Sequence, residues 1–565
     1  MKRSRLSGGQ AAVEALRAEK VRHLFGLIGS AAMEMFDALY DADDIDFIGV
    51  RDERTGAHMA DGYARASGRA GVILAGQNGP GATNLVTGLA QAAAAFSPLV
   101  SIAGSLSLEH VYRGAFQEVD QQSLFGPVSK KTLTVTRPGR IPEMFREAFR
   151  LAMTPRRGPV HINLPRDLLA AGAEFADTDF QSPQQYRIHQ APAGADSAIA
   201  AAAELLCAAV RPVIVAGGGI KNSAGHPPVL ALAETLQAPV ATAPGHGDAI
   251  PFGHDLNAGQ MGPRGNPVAS QCVREADVIL ALGTRLGFNS TFYSYEHLNP
   301  LAKIIQVELE PTAIGRHFPV AVGIWADAPT AARQLRERCA GLRIRDEARA
   351  WVEQYRRARA AYLQDRDADP GNAHPIQPAG LFRTLRRVLP PNVAITLDAG
   401  TLCLQATDAL NYRQPPCLFT PLDFGLVGFS FACGLGVKLA RPERPVVSLI
   451  GDGGFGMTLS ELSTAVSHGI NTVTLVMNNR CWGAEKAYQR DFFGARYIGA
   501  DIHSPPFDRV AEAYGAAGFS VERAADIAGA VEAALACGKP AVVDIAVDPA
   551  ALYSFRRDSF AHRSG

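Results

Sequence analysis

Residues 446–479 read VVSLIGDGGFGMTLSELSTAVSHGINTVTLVMNN, and this stretch decides the fold. Its two apolar runs, VVSLI and NTVTLVM, have the length and composition of buried strands, and a helical pattern lies between them. Gly451-Asp452-Gly453 follows the first run, and Asn479 closes the second. Because parallel strands bring their carboxyl ends to one edge of a sheet, these residues are predicted to face a single crevice.

The bulk composition predicts a multidomain protein that acts on small molecules. A chain of 565 residues is too long for one hydrophobic core. Lys plus Arg equals Asp plus Glu at 55 each, which disfavours a nucleic-acid partner. No apolar run has the length of a membrane span, and no signal peptide is visible. The eight cysteines are scattered without a C-x-x-C pair, so reduced thiols and a cytoplasmic location are expected.

Short apolar runs ending in Gly, each followed by a helical pattern, recur along the chain and predict an α/β fold with parallel sheets. The runs are VRHLFGLIG, AGVILAGQNGPG, PVIVAGGG, DVILALGTRL, AKIIQVELEP, VVSLIGDGG and NTVTLVMNN. Polar, Pro-rich stretches near 178–197 and 364–380 are interpreted as linkers. We therefore predict three doubly wound domains and a short tail, with bounds 1–178, 195–345, 375–550 and 551–565.

The residues around Asp452 suit a metal and a phosphate group. Asp452 offers an anionic oxygen, Asn479 offers a neutral one, and the glycines let the backbone approach a phosphate closely. Mg²⁺ prefers such oxygen ligands and binds through one or two carboxylates together with phosphates. An isolated Gly-Asp-Gly is more often a simple turn, but its pairing with Asn479 favours the metal site.

This stretch resembles the diphosphate and Mg²⁺ binding motif of thiamine-diphosphate (ThDP) enzymes of the acetolactate synthase superfamily. The resemblance implies three domains. The first binds the cofactor pyrimidine, the second lies centrally, and the third binds the diphosphate. It implies Asp452, Asn479 and the backbone carbonyl of Cys481 as Mg²⁺ ligands. Further cofactor contacts implied in the last domain are Gly400, Thr401, Gly451, Gly453 and Gly454.

A second matching segment, RDERTGAHMADGYARASG, resembles the pyrimidine-domain motif and makes Glu53 the activating carboxyl. ThDP reacts through a carbon that it activates when its own aminopyrimidine becomes an imine, and a carboxyl at the ring nitrogen N1′ drives that change. A Glu in such a charged stretch is ordinarily solvated. The apolar run before Glu53 and the small residues after it favour a buried position instead.

Two more stretches match the family in the first domain. GQNGPGATNLVTG resembles the turn and helix bordering the pyrimidine, which implies Gly79, Pro80 and Asn84 as cofactor contacts. GAFQEVDQ resembles the active-site loop and implies catalytic roles for Phe116 and Gln117. The structural alternatives are that Gly79-Pro80-Gly81 is only a tight turn and that Phe116 is a core aromatic residue. The residue beneath the thiazolium aligns with Val427, where acetolactate synthases have Met.

The substrate is less defined than the cofactor. Several segments, above all WGAEK from Trp482 to Lys486, resemble the sulfoacetaldehyde acetyltransferase branch, which implies conversion of sulfoacetaldehyde and phosphate into acetyl phosphate and sulfite. Lys486 or Arg496 could hold the anionic group, and exposed surface positions are the alternative. His58 and the residues around Glu53 are closer to acetolactate synthase, a carboligase of 2-oxo acids. A 2-hydroxyacyl-CoA lyase or oxalyl-CoA decarboxylase is the third alternative.

The resemblance also implies a homodimer or homotetramer, because ThDP binds between subunits in this family. The resemblance to acetolactate synthase keeps FAD binding by the central domain as an alternative, although no G-x-G-x-x-G motif indicates a dinucleotide. A non-catalytic relative would have lost the activating carboxyl or a metal ligand. Since Glu53, Asp452 and Asn479 are all present, we expect a ThDP- and Mg²⁺-dependent transferase or lyase.

Overall fold

The computed structural model describes residues 3–221, 223, 225–340, 343–368, 374–555 and 558–563. These residues form three six-stranded parallel sheets with helices on their faces, and one separate two-stranded ribbon. The predicted α/β class is therefore confirmed, and each of the seven apolar runs contains a strand. Among the described helices, none is long and apolar enough to cross a membrane. Residues 369–373 of the second predicted linker, and 556, 557, 564 and 565 of the tail, lie outside the described residues.

The first sheet has the order β3-β2-β4-β5-β7-β6, and β1 pairs with β8 antiparallel beside it. Its strands are β1 (Arg3–Ser7), β2 (His23–Leu27), β3 (Asp46–Gly49), β4 (Gly71–Ala75), β5 (Leu99–Ser105), β6 (Lys131–Thr134), β7 (Pro159–Pro165) and β8 (Gly172–Ala176). Its helices are α1 (Gly8–Ala18), α2 (Met33–Tyr40), α3 (Glu53–Ser67), α4 (Gly79–Ala94), α5 (Gln121–Phe125), α6 (Ile141–Met153) and α7 (Arg166–Ala170).

The central sheet has the order β11-β10-β9-β12-β13-β14. Its strands are β9 (Pro212–Ala216), β10 (Val240–Thr242), β11 (Asn257–Gln260), β12 (Val278–Leu282), β13 (Lys303–Glu308) and β14 (Val322–Trp325). Its helices are α8 (Asp196–Ala208), α9 (Gly218–Lys221), α10 (Pro227–Leu236), α11 (Pro267–Glu275), α12 (Phe288–Thr291), α13 (Ala328–Cys339) and α14 (Asp346–Asp367). Helix α14 buries Trp351, Val352 and Tyr355 in the central core, so we propose that this domain extends through α14.

The last sheet has the order β16-β15-β17-β18-β20-β19. Its strands are β15 (Ala394–Leu397), β16 (Leu418–Phe419), β17 (Val446–Gly451), β18 (Val473–Asn478), β19 (Ala517–Val521) and β20 (Ala541–Ala546). Its helices are α15 (Pro378–Val388), α16 (Thr401–Ala409), α17 (Ser430–Ala440), α18 (Asp452–Gly456), α19 (Leu462–Ser467), α20 (Gly483–Phe492), α21 (Phe507–Ala513) and α22 (Ile527–Ala536).

The first and last sheets share one strand order, and the central sheet has another. In both outer sheets the first two strands are laid down toward one edge and the third is added on the opposite side. This change occurs between β2 and β4 in the first sheet and between β15 and β17 in the last. Ligands of open α/β sheets bind outside the carboxyl ends of strands at such a switch point. The topology therefore marks one candidate half-site in each outer domain.

The equivalent helices α3 and α17 hold the two outer domains together. At Gly436 an added Cβ would lie 1.8 Å from the carbonyl oxygen of Met59, and at Gly62 it would lie 2.2 Å from that of Cys433. Only glycine permits so close an approach of two helices. This contact fixes Glu53, the first residue of α3, relative to the last domain.

Candidate cofactor site

Polar residues at three strand ends of the last domain line a cavity of about 440 Å³, which residues of the central domain also border. Asp398 follows β15, Asp452 follows β17, and Asn479 follows β18. The cavity lies at the switch point between β15 and β17, as the sequence predicts for Asp452 and Asn479. Further lining residues are Gly400, Thr401, Val427, Gly451, Gly453, Gly454, Cys481, Trp482 and Glu485, together with Arg264, Phe288, Asn289 and Phe555.

Asp452 begins the short helix α18 and is 2% exposed. Its Oδ2 accepts a hydrogen bond from the Ser504 hydroxyl, and the backbone N–H of Asn479 also donates to the carboxyl group. Burial raises the pKa of Asp452 despite these bonds. A buried carboxylate in a cavity wall is suited to pairing with a cation. Asn479, also buried, lines the same cavity.

The chain turns sharply between Asn479 and Cys481. Arg480 adopts a left-handed conformation, with φ of 56°, which is uncommon for a residue other than glycine. The next residues are tied to the strand-like segment beyond them, since Cys481 bridges to Asp501 and the Trp482 N–H donates to Ala500 at 2.7 Å. The Cys481 thiol is buried, which raises its pKa to about 11. A role for Cys481 through its carbonyl rather than its thiol is consistent with this environment.

Packing within the protein explains why two of these positions are glycine. A Cβ at Gly453 would lie 2.7 Å from the Trp482 ring, and one at Gly454 would lie 2.3 Å from Oδ2 of Asp398. At Gly451 a Cβ would meet no atom within 4 Å. Gly453 and Gly454 are therefore required by packing, whereas Gly451 leaves open space at the end of β17.

Asp398 is a buried site residue that the sequence reasoning missed. Its carboxylate accepts backbone N–H bonds from Gly428 at 2.9 Å, Phe429 at 2.7 Å and Ser430 at 3.2 Å. These bonds fix the loop that presents Val427 to the cavity. Burial outweighs them and raises the pKa of Asp398 to about 6. The run AITL before Asp398 is the same strand-end signal that located Asp452.

Glu53 lies in the first domain, at the start of α3, and is 3% exposed. Its Oε2 accepts a bond from Asn84 Nδ2 at 3.0 Å, and a Cβ added at Gly81 would lie 3.0 Å from its Oε1. Burial raises the pKa of Glu53, while the Asn84 bond opposes that shift. Glu53, Asn84 and the turn from Gly79 thus form one group, although they come from different helices.

The loop that carries Phe116 and Gln117 docks on this turn. Gln117 has a left-handed backbone with φ of 62°, its Oε1 accepts from Gln77 at 2.7 Å, and its carbonyl accepts from Asn78 at 3.1 Å. The Phe116 side chain is 83% exposed. The loop is therefore held by Gln117 while Phe116 projects outward.

Glu461 ties the Glu53 region to the last domain. Its Oε1 accepts from the backbone N–H groups of Arg51 at 2.9 Å and Asp52 at 3.2 Å and from the Thr55 hydroxyl. Its Oε2 accepts from Thr464 at 2.6 Å. Glu461 is fully buried, so these bonds act without competition from water. We regard Glu461 as a positioning residue for the first turn of α3.

Replacement of Glu461 by Ala is expected to reduce both stability and turnover. It leaves two backbone N–H groups without their acceptor, at about 1–3 kcal/mol each, and loosens the turn that carries Glu53. We expect a lower melting temperature and a kcat reduced by about tenfold, with partial recovery in Glu461→Gln, which keeps one acceptor oxygen. Thermal unfolding and steady-state kinetics measure the two effects, and Glu512→Ala at an exposed ion pair on α21 is the control. Wild-type values in Glu461→Ala would exclude the positioning role.

The two groups do not share a cavity within one chain. The described residues that line the 440 Å³ cavity come from the central and last domains and from Phe555, and Glu53 is not among them. Within the described part of the chain, no group of three or more His, Cys, Asp or Glu residues could hold a metal ion. A metal bound at Asp452 would therefore need neutral protein oxygens and ligand phosphates to complete its coordination.

Comparison with known proteins assigns the three domains to one family. Residues 6–124, 199–335 and 398–545 match, in order, the N-terminal TPP binding domain, the central domain and the C-terminal TPP binding domain of thiamine pyrophosphate enzymes. The chain belongs to the thiamine pyrophosphate enzyme family. It is therefore an enzyme that depends on thiamine pyrophosphate, another name for ThDP.

Two classes of enzyme occur among the relatives of this thiamine pyrophosphate enzyme. Sulfoacetaldehyde acetyltransferase of Alcaligenes xylosoxydans xylosoxydans is 34% identical, over 99% of this chain and 96% of the relative. The probable acetolactate synthase large subunit of Methanocaldococcus jannaschii is also 34% identical, over 96% and 92%. Acetolactate synthase isozyme 3 large subunit of Escherichia coli is 32% identical, over 91% and 90%. These identities do not separate the two activities.

The structure gives different surroundings to the three predicted substrate residues of this family member. Trp482 lines the cavity and packs on Gly453. Lys486 forms an ion pair with Asp501, which raises the lysine pKa, and it is not among the described lining residues. Arg496 is exposed to solvent. A substrate role for Lys486 would require it to leave Asp501 and stays a prediction.

A second cavity of about 630 Å³ lies at the switch point of the central sheet, between β9 and β12. Gly218, Gly219 and Gly283 line it together with Arg156 and Arg285. The guanidinium groups of these two arginines each lie 4.9 Å from the centre of the Phe96 ring. Glycine turns, arginines and an aromatic ring are compatible with a nucleotide.

Proposed function

We propose that this enzyme binds ThDP and Mg²⁺ and converts sulfoacetaldehyde and phosphate into acetyl phosphate and sulfite. The observation that carries the cofactor assignment is the meeting of Asp452, Asn479 and Gly451 at the switch point of the last sheet. The substrate assignment is supported by the match to sulfoacetaldehyde acetyltransferase over 99% of the chain and by Trp482 of the WGAEK segment in the cavity wall.

In this proposal the last domain would bind the metal and the diphosphate. Asp452, Asn479 and the Cys481 carbonyl would hold Mg²⁺, an ion that proteins bind through few side chains together with phosphates. Gly451, Gly453, Gly454, Gly400 and Thr401 border the diphosphate. Val427, which lines the cavity on the loop bound to Asp398, would contact the cofactor ring. When bound, ThDP supplies a nucleophilic carbon that protein side chains do not offer.

The first domain is proposed to activate the cofactor. Glu53 would hold a proton at its buried carboxyl and would act as the acid–base group toward the aminopyrimidine. Asn84 orients the carboxyl through Oε2, which leaves Oε1 beside Gly81. Phe116 and Gln117 belong to the loop beside this turn, where we propose that they contact the substrate. The Trp482 ring excludes water from the other wall.

Glu53 is not among the described residues that line the cavity around Asp452, and this separation of the two half-sites favours an oligomer. We propose a homodimer or homotetramer in which Glu53 of one subunit faces the cavity of another. Exposed apolar side chains at Leu108, Val111, Tyr112 and Phe116 on the active-site loop support such an interface. We also propose a cytoplasmic location, consistent with eight free cysteines.

A carboligase of 2-oxo acids related to acetolactate synthase is the second candidate, and the equal identity to that class favours it. One assay separates the candidates. Purified protein with ThDP and Mg²⁺ is incubated with sulfoacetaldehyde plus phosphate, with pyruvate, and with oxalyl-CoA or a 2-hydroxyacyl-CoA. We expect sulfite and acetyl phosphate from the first mixture. Formation of acetolactate from pyruvate would favour the second candidate instead. Formation of formyl-CoA from the CoA substrates would identify a lyase or decarboxylase. A yellow purified protein would indicate bound flavin.

A further inference from the structure

The charges around the 440 Å³ cavity are unequal. Asp398, Asp423, Asp452 and Glu485 are anionic, and Arg264 is the one cation among the described lining residues. Sulfoacetaldehyde, phosphate and 2-oxo acids all carry an anionic group. We propose that Arg264 binds the sulfonate, carboxylate or phosphate of the substrate, an inference that rests on the proposed function for its choice of ligand.

The protein builds a defined turn to present Arg264. The buried Gln260 donates from Nε2 to the Arg264 carbonyl at 3.1 Å, and its Oε1 accepts from Gly245 at 3.2 Å. Gly262 has φ of 92°, and a Cβ there would lie 2.6 Å from the Ser290 carbonyl. A left-handed residue in so tight a space is strongly specified as glycine. The Arg264 backbone is therefore fixed before any ligand arrives.

The aromatic contacts of the Arg264 guanidinium are compatible with anion binding. Its Nη1 donates to Asn289 Oδ1 at 3.5 Å, the limit of a hydrogen bond. Its central carbon lies 5.0 Å from the Phe555 ring centre and 5.8 Å from that of Phe292. Aromatic rings contact the face of a guanidinium, whereas its N–H groups donate in the plane to carboxylate, sulfonate or phosphate oxygens. Stacking and anion binding thus use different parts of the group.

Two anions could occupy this site, the substrate and the cofactor diphosphate. Asn289 and Phe292 of the central domain and Phe555 contact the Arg264 guanidinium, whereas the metal and diphosphate are assigned to the ends of β17 and β18 in the last domain. The loops after those strands carry Asp452 and Asn479, the proposed metal and diphosphate ligands. We therefore assign Arg264 to the substrate rather than to the diphosphate.

Binding of simple anions tests the assignment directly. Ethanesulfonate, propionate and inorganic phosphate are titrated into the protein with and without ThDP and Mg²⁺. The change in tryptophan fluorescence reports binding, because Trp482 lines the cavity, and the signal of Trp325 and Trp351 serves as a constant background. Arg264→Met is expected to raise Kd for these anions by about 10- to 100-fold, because it removes hydrogen bonds to a charged group. Arg264→Lys retains the charge and should lose about tenfold or less. The control is Arg523→Met at an exposed ion pair, which should leave Kd unchanged.

The outcomes separate the alternatives. Calorimetry of ThDP with Mg²⁺ should give similar affinities for the wild type and Arg264→Met, and a selective loss in the variant would reassign Arg264 to the diphosphate. Unchanged anion affinities in folded Arg264→Met would overturn the inference, as would the absence of saturable binding to the wild type. If Arg264→Met does not fold, Arg264→Lys serves alone. Failure of the wild type to bind ThDP would instead refute the proposed function, and the anion titrations would still judge Arg264.

Discussion

Replacement of Glu53 by Gln is expected to reduce kcat by about 10²- to 10⁴-fold, the usual effect of removing a general acid–base group. The change removes the exchangeable proton but little volume. Since Asn84 donates to Oε2, the new side chain must turn its carbonyl oxygen toward Asn84 and place its NH₂ where Oε1 now lies, against Gly81. The position proposed to face the cofactor would then hold a group that cannot exchange a proton with N1′.

The measurement is steady-state kinetics with whichever substrate the wild type turns over, together with the melting temperature and the affinity for ThDP. We expect the melting temperature to stay close to that of the wild type. Glu143→Gln, in the first turn of α6, is the matched control, because Glu143 pairs with Arg140 on the surface of the same domain. Turnover within a few-fold of the wild type in Glu53→Gln would remove Glu53 from the mechanism.

The sequence located the parts of the site that local pattern determines. Asp452 and Asn479 were predicted because each ends an apolar strand, and strand ends at a switch point face a common crevice. A buried position for Glu53 was favoured by the run before it and the small residues after it, and the structure agrees with 3% exposure. Asp398 obeys the same rule but follows only the four-residue strand β15, so its signal was weak.

Other residues depend on contacts that no local pattern contains. Glu461 bonds to Arg51, which lies 410 positions away, and in sequence it looks like a surface residue of a helix. Arg264 gains its place from Asn289 and Phe555, in other elements of the fold. Lys486 illustrates the converse: its position after the metal loop suggested a substrate contact, yet Asp501 pairs with it. Tertiary structure decides which charged groups form pairs. Sequence spacing alone therefore could not show whether Lys486 or Arg264 is placed to bind the substrate anion.

Replacement of Asp452 by Asn is expected to abolish effective cofactor loading. Asn keeps the shape and can still bond to Ser504, but it loses the one carboxylate assigned to the metal. Mg²⁺ depends strongly on such a charge, because it exchanges its water ligands reluctantly. We expect the affinity for ThDP with Mg²⁺ to fall by at least about 100-fold, equivalent to about 3 kcal/mol.

Calorimetric titration of ThDP in the presence of Mg²⁺ measures the loss of affinity in Asp452→Asn. Asp526→Asn, which disrupts an exposed ion pair with Arg523 in the same domain, is the control and should bind as the wild type does. Excess Mg²⁺ should restore part of the affinity if the carboxylate acts through the metal, whereas a purely structural defect would not respond. Unchanged affinity in Asp452→Asn would mean that the strand-end cavity does not hold the metal, and the diphosphate would then have to bind elsewhere.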